Sequence, residues 1–274
     1  MGEQRELEEF QQYLKKKNLS ANTMISYMGS VRLFLSLYRE PSQANLISYR
    51  QYLIDHYRAN TINQRIYAIN HYIRFLGILP KGWHLPSVKS QRHSYLDQII
   101  SNDDYERLKS CLKADGYTYW YFVVRFLAST GARISELLQI KIEHLRLGYL
   151  DLYSKGGKIR RLYFPDSLCS EALDWFSQNH IVSGFLFLNQ KGARITARGI
   201  RYQLKHFALR YQIDPDTVYP HSFRHRFAKN FLARFNDISL LADLMGHESI
   251  ETTRIYLTRS TNEQRALLDE IITW

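Results

Sequence analysis

His221-Ser-Phe-Arg224-His225 and, downstream, Leu244-Met-Gly-His247-Glu-Ser-Ile-Glu-Thr-Thr-Arg-Ile-Tyr256 place His221, Arg224, His247 and Tyr256 at spacings that suit attack on a phosphodiester. In His221-x-x-Arg224 the two side chains fall at i, i+3 on one helical face, so both can converge on a single phosphate. Breaking a phosphodiester without a metal takes a nucleophile, cationic donors for the phosphoryl oxygens and an acid for the leaving alkoxide. Arginine suits the second task because its fork meets two oxygens and keeps its charge. The chain carries 37 Lys and Arg against 26 Asp and Glu, a formal net charge of +11, so the expected polyanion is nucleic acid.

Moving upstream, Arg133 is the second candidate for the phosphate, and Glu136 at i, i+3 can orient its guanidinium from behind. Leu150-Asp-Leu-Tyr153 and Arg161-Leu-Tyr-Phe164 read as two strands joined through Ser154-Lys-Gly-Gly-Lys158. A lysine at the tip of such a hairpin can reach a minor groove beside a scissile bond. Lys155 is the first choice as proton donor and Lys158 the rival. An exposed solubilising turn is the plain alternative for this segment.

The first third is helical by pattern. Leu7, Phe10 and Leu14 make one stripe, Ser20 caps a second helix with Tyr27, Val31, Phe34 and Tyr38, and a third runs near Leu46 to Leu53. Ile62, Ile66, Ile69, Ile73 and Leu76 form a fourth stripe that must pack inward. Lys15, Lys16, Lys17, Arg32, Arg58, Arg65 and Arg74 lie on the remaining surfaces, as solvated faces or as phosphate contacts. Periodicity stops between Gly77 and Tyr95, where Pro80, Gly82 and Pro86 precede Lys89, Gln91, Arg92 and His93; this basic stretch reads as a linker. The expected organisation is a DNA-binding domain over 1–85, a linker over 86–96 and a catalytic domain over 97–274. Ser101 caps the next helix, another spans about Thr118 to Ala128 and ends at Thr130-Gly131, and the chain after Ser167 reads mainly as helix. A capping box at Ser260 starts a terminal helix over 260–274 with Leu267, Ile271 and Trp274 on one face.

Four blocks in this order resemble the tyrosine recombinase (phage integrase) family. Thr130-Gly-Ala-Arg-Ile-Ser-Glu-Leu137 is similar to its first arginine box, and Lys155-Gly-Gly-Lys158 to its K-G-x-K turn. Pro220-His221-Ser-Phe-Arg224-His225 matches its H-x-x-R-H box, and Leu244 through Tyr256 its L-G-H…T-T-x-x-Y segment. The resemblance implies a mainly α fold with a small β-sheet: a helical SAM-like core-binding domain and an α+β catalytic domain, closing as a clamp on duplex DNA. It implies Tyr256 as nucleophile forming a 3′-phosphotyrosyl link, Arg133 and Arg224 on the phosphate, and Lys155 as acid. His221 would help deprotonate Tyr256, and His247 would hydrogen-bond a phosphoryl oxygen. No cofactor is implied, because the covalent link conserves the bond energy. The implied partner is double-stranded DNA with an inverted-repeat core site, bound by a homotetramer whose terminal helices dock on neighbouring subunits.

Some positions depart from the pattern. Arg226 stands where Thr or Ser is usual, Phe223 replaces Leu, and Leu257-Thr258 follows the tyrosine. These make a mobile-element integrase or an invertase the expectation over a chromosome-dimer resolvase, and, with the chain starting at the core-binding helices, no arm-binding domain is expected. Two other classes fit parts of the pattern: a type IB topoisomerase, and a catalytically idle DNA-binding protein on the same scaffold. A zinc pair from His221 and His225 is disfavoured because no glutamate of an H-E-x-x-H motif lies between them. Cys111 and Cys169 make no disulfide framework, and no run of about 18 apolar residues marks a membrane span, so a cytoplasmic protein is expected.

Overall fold

The computed structural model describes residues 2–78, 83–89, 98–153, 159–247 and 249–257, together with 265, 268, 269 and 272. The chain divides into two compact units, Met1–His93 and Ser94–Trp274. Among the described residues no helix is long and apolar enough to cross a membrane. The architecture is mainly α with one small sheet.

The first unit holds four helices, α1 (Gly2–Lys16), α2 (Ala21–Tyr38), α3 (Gln43–His56) and α4 (Ala59–Phe75). Ser20 and Ser42 cap α2 and α3 by accepting hydrogen bonds from Thr23 N and Asn45 N, each 3.1 Å. The isoleucine stripe of α4 packs on α2, burying Ile66 and Ile69 against a cluster that includes Phe10, Phe34, Tyr49 and Tyr72. At roughly 1.5–3 kcal/mol for each large apolar side chain taken from water, this stripe stabilises the unit well beyond any helix propensity.

The segment 83–89 has no helix or strand, yet it is strapped to α4. Asn70 donates to Leu85 O and accepts from Leu85 N, both 3.0 Å. Asn63, two turns earlier on the same face, treats Val88 the same way at 3.0 and 2.8 Å. Each side-chain amide thus replaces a strand neighbour and satisfies a backbone pair that would otherwise lack partners. The segment 83–89 therefore packs as part of the first unit.

The second unit opens with α5 (Asn102–Ala114) and α6 (Thr118–Thr130), then the short α7 (Ile134–Leu137) and α8 (Ile142–Leu147). The hairpin of β1 (Tyr149–Tyr153) and β2 (Ile159–Tyr163) follows, antiparallel, pairing Leu150 with Leu162 and Leu152 with Arg160. The second strand starts two residues before the expected Arg161, which moves Arg160 into the ladder on the buried face of Leu162. The helices α9 (Asp166–Gln178), α10 (Ala197–Arg210), α11 (Pro220–Phe235), α12 (Ile238–Met245) and α13 (Ile250–Arg254) come next, and a 3₁₀ turn, Ile255–Leu257, ends the regular structure. The region is mainly helix, as expected, with a break over 179–196, where isolated bridges join Lys141 to Phe185 and Leu188 to Arg194. Gly184 and Gly192, both at positive φ, punctuate that stretch and break any helical run.

Most of the unit shares one core around Phe122, Phe126, Phe187 and Phe223. A second, smaller cluster gathers Ala228, Leu232, Leu241, Met245 and Tyr256. The tyrosine of the quoted motif thus sits in a small packed floor of its own. The turn 154–158 and most of the terminal segment 260–274 lie outside the described residues.

Candidate active site

Three arginines from three different elements converge on the end of α12. A helix leaves its last carbonyls without intrahelical partners, and that end carries partial negative charge. Arg160 Nε on β2 donates to Leu244 O at 2.9 Å. Arg224 Nη2 on α11 donates to Met245 O at 2.6 Å, and Arg133 Nη2, just before α7, to Gly246 O at 3.1 Å. Three consecutive carbonyls of Leu244-Met-Gly therefore fix three guanidiniums.

Glu136 ties two of them together. Its carboxylate accepts from Arg133 N at 2.7 Å and from Arg133 Nη1 at 2.8 Å, and receives Arg160 Nη1 at 2.7 Å on both oxygens. Burial alone would raise the carboxyl pKa, but the charge of Arg160 and the hydrogen bonds from Arg133 and Arg160 hold it below the ordinary glutamate value. Arg224 is 3% exposed and also donates to Gly131 O at 2.5 Å. Its burial, then the charges of Arg133 and Arg160, lower its pKa to about 10, so it stays charged near neutral pH.

Two motif glycines are required by this packing. Gly131 closes α6 at φ +61°, and a Cβ there would meet the Phe227 ring at 2.6 Å. Gly246 also sits at φ +61°, and a Cβ would lie 2.2 Å from Arg160 Cδ. Only glycine lets the Arg160 side chain pass under the bend that presents His247.

The nucleophile candidate lies on the other side of the arginines. Tyr256 is 7% exposed, and its Oη is 3.1 Å from His225 Nδ1. Burial raises its pKa, opposed only in part by Arg224 and Arg133, so the phenol is neutral and needs a base. Burial, helped by His221 and Arg224, lowers His225 to about 4, leaving that imidazole neutral and able to accept a proton. His247 Nε2 receives Arg224 Nη2 at 3.1 Å, its Nδ1 is 2.7 Å from Thr253 Oγ1, and its ring stacks near Tyr256. Burial first, then Arg224, Arg133, Arg160 and His225, lower it also to about 4. A cleft of about 660 Å³ opens beside Arg133, Glu136, Arg160 and His247.

Arg133, Glu136, Arg224, His247 and Tyr256 are thus brought together. His221 stands at the edge: it is exposed, its ring centroid is 6.3 Å from that of His225, and it is the ring of His225 that meets the Tyr256 hydroxyl. Desolvation and the charges of Arg224, Arg201 and Arg133 keep His221 below the ordinary histidine value. Arg160, His225 and Thr253 are the contributors that motif reading passed over. The signal for Arg160 was available, because period two from Leu162 puts it on the inward face. Lys155, Lys158 and Arg92 lie outside the described residues. In the first unit Lys15, Lys16, Lys17, Arg74 and Lys89 are exposed. Arg65 is half-buried, its guanidinium 4.6 Å over the Tyr57 ring, because its place on α4 turns it against the end of α3 rather than to solvent.

The family model described as the phage integrase family matches residues 97–263, which contain this whole arrangement. The chain belongs to that family. Among curated relatives, the tyrosine recombinase XerD of Staphylococcus haemolyticus is 32% identical over 157 residues, 54% of this chain and 52% of the relative. The chain thus spans about half the length of the first relatives it matches. The tyrosine recombinase XerA of Pyrococcus furiosus aligns more fully, at 29% identity over 262 residues, 93% of this chain and 89% of that one. In fold, the family member is similar to a Tn1549 transposon integrase solved with circular intermediate DNA, with a TM-score of 0.73 at 18% identity over 97% of this chain and 99% of the other.

Proposed function

We propose that this chain is a site-specific DNA recombinase of the cytoplasm that cuts and rejoins strands through Tyr256. The observation that carries the reading is the tyrosine oxygen held by a neutral histidine at 3.1 Å beside a cluster of arginines fixed by carbonyls. Arg133 and Arg224 hold the scissile phosphate. Tyr256 Oη attacks phosphorus and loses its proton to a histidine, the P–O5′ bond breaks, and Lys155 gives its proton to the departing 5′ oxygen. The product is a 3′-phosphotyrosyl bond and a free 5′-hydroxyl. Reversal with a 5′-hydroxyl from another strand completes the exchange, and no cofactor is consumed.

His225 takes the tyrosine proton in this scheme, with His221 at the margin facing the phosphate. The first unit supplies site affinity through Lys15, Lys16, Lys17, Arg74 and Lys89, whose release of counterions makes binding salt-dependent. The partner is duplex DNA with an inverted-repeat core, engaged by four copies. The test is incubation with nicked duplexes drawn from the DNA flanking the gene, followed by a denaturing gel. Wild type should give a covalent band at one site, and Tyr256→Phe should bind that site without one. A band from the mutant, or cleavage spread over unrelated sequence, sinks the proposal.

A further inference from the structure

Thr253 is fully buried on α13, three residues before Tyr256, and its hydroxyl lies 2.7 Å from His247 Nδ1. On the far side of the same ring, Nε2 is 3.1 Å from Arg224 Nη2. A guanidinium only donates, so Nε2 must be the acceptor. The ring faces Arg224 and His225 on α11, Arg160 on β2, Arg133 before α7 and the Tyr256 ring, and in this positive setting it is neutral. Its single proton is therefore on Nδ1, and Thr253 Oγ1 accepts it.

In that tautomer His247 presents a lone pair to the site and has nothing to donate to a phosphoryl oxygen. We propose that Thr253 is a positioning residue whose hydroxyl lets His247 exchange this tautomer for the opposite one when a phosphate draws away the N–H of Arg224. In the engaged state Nε2–H donates to the phosphoryl oxygen, and the Thr253 hydroxyl, turned about its Cβ–Oγ bond, donates to Nδ1. The ring releases one proton from Nδ1 to water and takes one from water at Nε2, so the charge is unchanged. A carboxylate or carbonyl in place of Thr253 would only accept and would lock the first state. A backbone N–H would only donate and would lock the second. A hydroxyl does both.

This inference deepens the recombinase reading and rests on it, so its test has one arm that does not need catalysis. Ring ¹⁵N spectra of the free full-length protein near pH 7, with His247 assigned by its loss in His247→Gln, should show Nδ1–H and a bare Nε2. An Nε2–H tautomer in the free protein would overturn the proposal. In the second arm Thr253→Val, which keeps the shape and removes the hydroxyl, should slow formation of the covalent band on a nicked duplex about 10- to 100-fold with site binding unchanged, the usual cost of losing an orienting hydrogen bond. Thr253→Ser should restore most of the rate. A folded Thr253→Val that cleaves at the wild-type rate contradicts the proposal, and so does a folded Thr253→Ser as slow as the valine variant. If wild type itself forms no covalent band, the recombinase reading fails, while the ring spectrum still decides the tautomer.

Discussion

The two halves of the active site are held by different means. On one side Arg133, Arg160 and Arg224 are pinned by three successive carbonyls and a buried carboxylate. On the other, Tyr256 is kept by a hydrogen bond with His225, by its proximity to Arg224 and by a small apolar cluster, on a three-residue 3₁₀ turn. In the proposed reaction the first half is pre-organised for a phosphate, so little reorganisation is needed when charge develops. The second half shields a neutral nucleophile whose reactivity waits on a base. Charge is fixed and chemistry is movable.

The largest expected effect breaks the fixed half. Glu136→Ala leaves Arg133 and Arg160 facing each other without their carboxylate, and removing one member of a buried pair costs about 3–5 kcal/mol. Urea unfolding should show that loss, and an unchanged midpoint would mean that the carbonyls alone hold the arginines. Next is Arg224→Lys, which keeps the charge but cannot reach Gly131 O, Met245 O and His247 together. Covalent complex formation should fall about 10²- to 10³-fold, the loss typical of one oriented donor at a developing charge.

A smaller effect separates the histidines of the movable half. His225→Gln should slow covalent cleavage about 10²-fold, the lower range for general-base catalysis, and by more than His221→Gln does. The reverse order in single-turnover rates would return the proton-accepting role to His221.

The smallest effect is on pH. Free histidine titrates near 6.5, roughly, while His225 and His247 are held to about 4 in the folded chain. Between those values the unfolded chain binds protons that the folded chain refuses, so stability is full above about pH 6.5 and declines as pH falls toward 4. Glu136, held below its ordinary value of 4.5, adds its own loss from about pH 4.5 downward. A melt at pH 5 should therefore occur at a lower temperature than one at pH 7. The cleavage rate should not drop over that interval as it would with an ordinary histidine base. Equal melts would place both rings in solvent.

The fixed half was mostly legible in the sequence, because Arg133, Glu136 and Arg224 announce themselves by i, i+3 spacing. Arg160 did not, since a strand start misplaced by two residues hid its inward face. The movable half was legible in composition and not in pairing. His221 and His225 both lie in the first turns of α11, and which of them meets Tyr256 depends on how α13 and the 3₁₀ turn return across that helix, a contact between residues about thirty positions apart that no local periodicity encodes. The helices of the first unit followed from their apolar stripes. The asparagine strap did not, because it joins a helix face to a segment without periodicity.

In the proposed reaction Tyr256, and not another of the 20 tyrosines, makes the bond to DNA. Nuclease and trypsin digestion of the covalent complex, followed by mass spectrometry, tests it directly. A nucleotide attached through its 3′-phosphate to the tryptic peptide 255–259, on Tyr256, is the expected product. A nucleotide on any other peptide, or one attached through a 5′-phosphate, would contradict it.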